Sequence, residues 1–153
     1  MLVLGINTVA DACEAALVRD GAVMAELSEP MNQGHDARLA PVIARLMSES
    51  GVAFSDLRRV AVVIGPGSFT GVRVGVAFAR GLSAASSMPT PAVGVTSLEA
   101  LDDLPLDRRV LGLLPAKRRP PEKTWWAQLL EAGRGVAEAT EIDEGGVLSM
   151  LAG

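Results

Sequence analysis

The chain opens on short apolar, β-rich runs separated by turn signals. Leu2 to Thr8 reads as a buried strand and Cys13 to Val18 as a second. The Asp20-Gly21 pair predicts a two-residue hairpin turn into a third strand over Ala22–Leu27. Beyond the loop signals Pro30, Asn32 and Gly34 the spacing changes: Leu39, Val42, Ile43, Leu46 and Met47 recur at helical intervals, with Gly51 as the stop. Pro41 fits only near a helix start, which leaves the first turn undefined. Val60 to Ile64 is a short continuous apolar run, as in a central strand covered on both faces. A glycine loop, Gly65-Pro66-Gly67-Ser68-Phe69-Thr70-Gly71, follows and opens a helix predicted to run to about Ala85. Pro89–Val95 returns as a strand, and Ser97 is expected to cap a short helix ending near Asp103. The order β-β-β-α-β-α-β-α, a hairpin followed by alternating units, predicts a mixed α/β sheet.

After Pro105 the pattern weakens. Val110–Leu114 and Thr124–Leu130 read as strands, Pro115 and Pro120-Pro121 as breaks, and Gly133 and Gly135 lead to a weak strand and an acidic, glycine-rich end. Only 48 residues follow Pro105, too few for an independent core. The expected organisation is a domain over residues 1–104 with a reduced C-terminal subdomain over 105–153.

Composition narrows the function classes. The 153 residues (15.9 kDa) are 49% apolar and 21% charged, with mean hydropathy +0.32, which excludes wholesale disorder. No apolar run approaches the roughly 18 residues of a membrane span, and Met1 leads into Leu2-Val3-Leu4 without a basic segment. A cytoplasmic protein without membrane contact is expected. Cys13, the single cysteine, excludes disulfides and cysteine-based zinc sites. The net charge of −4 divides into −5 over residues 1–107, +5 over 108–134 and −4 over 135–153. The acidic body is a poor autonomous nucleic-acid binder.

The glycine loop carries the strongest chemical signal. Glycines between a strand and a helix expose backbone N–H groups that suit a phosphate, with Gly65, Gly67, Ser68, Thr70 and Gly71 as candidate ligands. They equally suit a tight turn with no ligand. The spacing is neither that of a Walker A loop nor that of the dinucleotide fingerprint. In the following helix Gly71, Gly75 and Ala79 fall four apart on one face. Interior glycine costs about 1 kcal/mol, so a close backbone approach is implied, by the protein's own sheet or by a partner helix. Arg73 and Arg80 are expected on the solvent side. His35, the lone histidine, reads as a capping or structural residue, since no H-E-x-x-H or G-x-S-x-G accompanies it. Asn7 at the end of the first strand cannot supply the charge Mg²⁺ prefers. Lys117-Arg118-Arg119 near Trp125-Trp126 reads as a solvated basic hairpin, with RNA contact as the alternative. Adjacent tryptophans in a strand face opposite ways, which predicts one in the core and one partly exposed. No catalytic or metal constellation emerges.

The segment Gly65-Pro66-Gly67-Ser68-Phe69-Thr70-Gly71-Val72-Arg73-Val74-Gly75 resembles the G-P-G-S-F-T-G-[LV]-R-[IV]-G signature of the TsaB (YeaZ) family. Ile6-Asn7-Thr8 is similar to the family's I-D-T, Ala12-Cys13 with Ala16-Leu17 to A-C-S-V-A-L, and Asp20-Gly21 also matches. His35 with Leu39 and Pro41 is similar to H-S-E-x-L-x-P, and Gly94 to Leu101 to V-G-V-S-S-L-E-A-L. The resemblance implies an actin/hexokinase-like (ASKHA) N-terminal domain without cofactor. It implies a non-catalytic subunit of threonylcarbamoyladenosine synthesis in tRNA, although older labels call the family glycoprotease-like. The implied partners are the transferase TsaD, a paralogue, and the ATPase TsaE, with tRNA met only through the complex and a homodimer in isolation. The implied partner surface is helical: Leu39, Val42, Ile43 and Leu46 from the first helix, and Gly71, Val72, Gly75, Val76 and Ala79 from the second. Asn7 and Ala37 replace the family's acids, and Pro115 to Arg119 lacks the acid of its D-A-R-x-G-E-V-Y segment. Alternatives are an ASKHA-type nucleotide-binding ATPase or phosphotransferase and a glycoprotease-like hydrolase.

Overall fold

A computed structural model describes residues 1–31, 33–85, 90–101, 104–116 and 123–152. The chain forms two compact units, Met1–Val95 and Thr96–Gly153. The first holds a five-stranded mixed sheet in the order β3-β2-β1-β4-β5, built from β1 (Leu2–Asn7), β2 (Ala12–Arg19), β3 (Ala22–Pro30), β4 (Arg59–Val63) and β5 (Ala92–Val95). β1 pairs antiparallel with β2 and parallel with β4. The β2–β3 turn places Asp20 and Gly21 at φ 53° and 87°, as a right-twisted two-residue hairpin requires. β3 runs three residues beyond the expected Leu27, pairing Ser28, Glu29 and Pro30 with Glu14, Cys13 and Ala12 of β2.

Alternation sends Leu2, Leu4 and Ile6 of β1 and Cys13, Ala15 and Leu17 of β2 to one face, where they join a single core with the helices. α1 (His35–Glu49) contributes Leu39, Val42, Ile43, Leu46 and Met47, all buried. It ends at Ser50 in front of Gly51, whose φ of 62° terminates it. Pro41 lies inside α1 rather than at its start. Both Pro41 and Ala37, whose carbonyl the proline leaves unbonded, are exposed, so water can satisfy that carbonyl. α2 (Phe69–Ala85) covers β1, β4 and β5.

In the second unit β6 (Arg109–Pro115) pairs with β7 (Trp125–Glu131), which also pairs with β8 (Arg134–Gly135) and β9 (Thr140–Ile142). The glycine-rich end, left without an element by its pattern, forms α3 (Glu144–Ala152). Trp125 and Trp126 are both half-buried, so partial exposure is found as expected for one ring, and the expected core placement of the other is corrected. Lys117, Arg118, Arg119, Pro120 and Pro121 lie outside the described residues, as do Pro89 and Asp103.

The units divide at Val95/Thr96, ahead of the 104/105 boundary expected, and a hydrogen-bond network shows why. Thr96 caps a single turn: its Oγ1 accepts the Glu99 N–H (3.0 Å), and Glu99 returns Oε2 to the Thr96 N–H (2.9 Å). The cap is therefore Thr96 and not Ser97, and a turn stands where a helix was expected. Glu99 Oε1 also accepts the Gly135 N–H (2.9 Å). Thr96 Oγ1 donates to Oε1 of buried Gln128 (2.9 Å), whose Nε2 donates to the Ala137 carbonyl (2.9 Å). The network anchors the turn that carries Leu98; Leu98, Ala127 and Leu130 are all fully buried, and Leu98 and Leu130 both approach Gly112. A small core thus exists where none was expected, because Leu98 completes it from ahead of Pro105.

Burial raises the Glu99 carboxyl, but the N–H groups of Gly135 and Thr96, the Thr96 hydroxyl and the charge of Arg134 outweigh it and hold the pKa below its ordinary value. A depressed carboxylate stabilises the fold above its unfolded pKa of about 4.3, and that contribution is lost as pH falls through the lower folded value. Glu99→Gln should therefore destabilise this unit more at pH 7 than near pH 3. Urea titrations followed by Trp125 and Trp126 fluorescence at both pH values check this; an equal gap at both would contradict it.

Candidate functional site

The β1–β2 connection and the glycine loop are joined by hydrogen bonds. Ser68 Oγ accepts the Gly71 N–H (3.1 Å), capping α2. The Ser68 N–H donates to the Val9 carbonyl (3.0 Å), and Thr8 Oγ1 donates to the Gly71 carbonyl (2.7 Å). Asn7 Oδ1 accepts the Val9 N–H (3.1 Å). The contact leaves no room for side chains. A Cβ on Gly71 would stand 1.8 Å from the Thr8 carbonyl oxygen, one on Gly75 2.7 Å from Thr8 Oγ1, and one on Gly67 2.8 Å from the Val9 oxygen. The close approach implied by the small-residue face is therefore made within the chain, by the connection out of β1 at Thr8 and Val9 and by Val62 of β4.

This corrects the expected partner surface. Gly71, Gly75 and Ala79 are buried against β1 and β4, and Leu39, Val42, Ile43 and Leu46 are buried in the core. A group already enclosed by its own fold offers nothing to a partner. Of the nine residues, Val72 and Val76 are half-exposed, on the flanks of α2. The surface that α2 does present is the opposite face: Phe69 (75% exposed), Arg73, Ala77, Arg80, Gly81 and Ala84. Arg73 stacks its guanidinium over the Phe69 ring at 5.5 Å. Arg73 and Arg80 were legible as exposed. Phe69, Ala77, Gly81 and Ala84 were missed, although helical spacing counted away from Gly71 and Gly75 places them there. Gly81 would meet nothing within 4 Å if given a Cβ, so nothing in its own unit calls for a glycine.

The phosphate reading of the loop also changes. Two donors that a phosphate would use, the N–H groups of Ser68 and Gly71, are already bonded within the chain. Gly65 is buried, while Gly67 and Thr70 are exposed. Beside the loop, Asn7 Nδ2 donates to Glu14 Oε2 (2.7 Å), and Ser28 Oγ donates to Glu14 Oε1 (3.2 Å). Glu14 puts a carboxylate next to Asn7 through the β1–β2 register, which pairs the two residues. Sequence reasoning missed it: the Asp20-Gly21 turn sets the β2–β3 register, which places Ser28 opposite Glu14, and leaves the β1–β2 register open. Among the described residues no group of three or more His, Cys, Asp or Glu could hold a metal ion. His35, 8% exposed, sets Nε2 3.2 Å from the Ala12 carbonyl and so fixes the start of α1 against β2. Cys13 is wholly buried, and burial, reinforced by Glu29 and Glu14 and opposed by Arg38, pushes its thiol pKa up. Neither residue is placed as a nucleophile or base.

A mixed sheet, a strand–glycine loop–helix unit and a helix packed through glycines define the class, and comparison with known proteins agrees. The family model described as "TsaD: tRNA N6-adenosine threonylcarbamoyltransferase" matches residues 27–103, about half of the chain. The chain is 31% identical over 147 residues to the tRNA threonylcarbamoyladenosine biosynthesis protein TsaB of Escherichia coli, covering 94% of this chain and 61% of that protein. It is 38% identical over 101 residues to TsaB of Bacillus subtilis, covering 66% of this chain and 43% of that protein. The solved structure of YeaZ from Pseudomonas aeruginosa superimposes with TM-score 0.73 at 28% identity, over 93% of this chain and 67% of that one. The chain belongs to the TsaB (YeaZ) family. It spans about half the length of the curated relatives it matches.

The two kinds of glycine in α2 separate cleanly by experiment. Gly71→Ala should cost about 3 kcal/mol or more, because a backbone carbonyl cannot yield to a Cβ. Gly81→Ala should stabilise the helix by about 1 kcal/mol. Chemical denaturation followed by helical circular dichroism measures both, and similar values for the two would overturn the packing described.

Proposed function

We propose that this chain is a non-catalytic subunit in the synthesis of threonylcarbamoyladenosine in tRNA, acting as the partner of a TsaD-type transferase. The observation that carries the reading is the family relationship to proteins named for that biosynthesis. The sheet order, with β1 between antiparallel β2 and parallel β4, supports an actin/hexokinase-like first unit. The non-catalytic role is supported by a glycine loop whose donors serve packing, a histidine engaged by a backbone carbonyl and a thiol held in the core.

Contact with the transferase runs through the outward face of α2. Arg73, Arg80 and exposed Phe69 flank the small residues Ala77, Gly81 and Ala84, which let a second helix approach closely. The same face joins two copies when the transferase is absent. A TsaE-type ATPase and tRNA are met in the assembled complex.

Light scattering after size exclusion, on the chain alone and mixed with the TsaD-type protein of the same organism, tests this. The expected result is a 1:1 complex. Phe69→Ala with Arg73→Glu should weaken it at least about tenfold, while circular dichroism shows an unchanged fold. Gly81→Leu should weaken association without destabilising the chain. A monomer indifferent to the transferase would overturn the reading. Saturable Mg-ATP binding by the chain alone, lost in Thr70→Ala, would favour the nucleotide-binding alternative instead.

A further inference from the structure

β3 ends the sheet order, so one side of its backbone has no neighbouring strand among the described residues. At nine residues it is long for such a position, and Val23 (61%) and Met24 (42%) are exposed on it. Open edges of this length invite pairing unless charge or shape prevents it. Beside the edge, between β3 and the C-terminal half of α1, lies a groove of about 220 Å³. Met24, Leu27 and Leu46 give it apolar walls, and Glu26 and Glu49 give it charge.

The electrostatics of the groove are unbalanced. Glu49 is the last residue of α1, at the negative end of the helix dipole, and the last turn has no basic residue. A cation is favoured there and an acid disfavoured. Arg45 reaches Glu49 only at 3.8 Å, being also drawn to Glu29 at 3.4 Å. Glu29 is already held by both nitrogens of Arg38 (2.7 and 3.0 Å). Exposed Glu26 makes no ion pair among the described residues. A second copy of β3 laid antiparallel on this edge would oppose acid to acid, and a nucleic acid would meet the wrong charge.

We propose that the outer edge of β3 and its groove accept an extended, cationic segment of a partner protein as an added strand. Main-chain hydrogen bonds to β3 supply affinity, an apolar side chain on the face toward α1 enters beside Leu27 and Leu46, and a Lys or Arg on the opposite face neutralises Glu26. This surface lies on β3 and the end of α1, apart from the α2 face invoked for the transferase.

The test is titration of the ¹⁵N-labelled full chain with a synthetic octapeptide alternating valine and lysine. Saturable amide shifts confined to residues 22–30 and 46–51 are expected. They should be weakened about tenfold or more in Glu26→Lys/Glu49→Lys, whose substitutions are exposed and leave the core intact. Equal binding of a valine/glutamate octapeptide, shifts centred elsewhere, or no saturation would overturn the proposal. So would shifts of residues 22–30 that follow chain concentration without peptide, since the occupant would then be a second copy. Transferase binding by the double variant should be unchanged, so the two readings fail separately.

Discussion

The first unit depends on one close contact, that of the Thr8 carbonyl with the Cα of Gly71. There the connection out of β1 meets the first turn of α2 with no side chain between them. Hydrogen bonds from Ser68 to Val9 and from Thr8 to Gly71 hold the two segments in register. Gly75 extends the approach one turn along, against Thr8 and Val62. Because α2 sits this low on the sheet, Ala79 reaches the core that α1 fills with Leu39, Val42, Ile43 and Leu46. The same descent turns Phe69, Arg73 and Gly81 to the outside. The buried and presented faces of α2 are thus two results of one packing decision.

The second unit is held in a different way. Its apolar core is small, and specificity rests on Glu99 and Gln128, whose polar atoms meet partners from the Thr96 turn and from the residues around β8. A buried amide and a half-buried carboxylate satisfied this fully tolerate few alternative arrangements. A short segment gains definition from such bonds where it lacks apolar mass.

The fold was legible where local chemistry settles it: the Asp20-Gly21 turn, the stop at Gly51, the apolar spacing of α1 and the strand–glycine loop–helix unit all stand where pattern placed them. What pattern could not resolve was which side of a small-residue row faces what. Gly71, Gly75 and Ala79 are equally suited to a partner helix and to the chain's own strand, and only the position of Thr8, 63 residues earlier, decides. Thr96 and Ser97 are equally good caps by type, and the choice falls to Thr96 because Glu99 lies three residues on. α3 was missed because two glycines open it. The apparent shortage of core after Pro105 was resolved by Leu98, which a boundary at 104/105 assigns to the wrong side.

The separation between Thr8 and Gly71 also bears on how the chain is made. β1, β2 and β3 are joined by tight local turns and pair with their neighbours in sequence, so they can associate as soon as they emerge. The parallel partner β4 and the glycines of α2 arrive much later. Until then the apolar faces of β1 and β2 have only α1 to cover them. During synthesis, therefore, the nascent meander passes through an interval with half its core uncovered, and that interval ends only when Gly71 and Gly75 leave the ribosome.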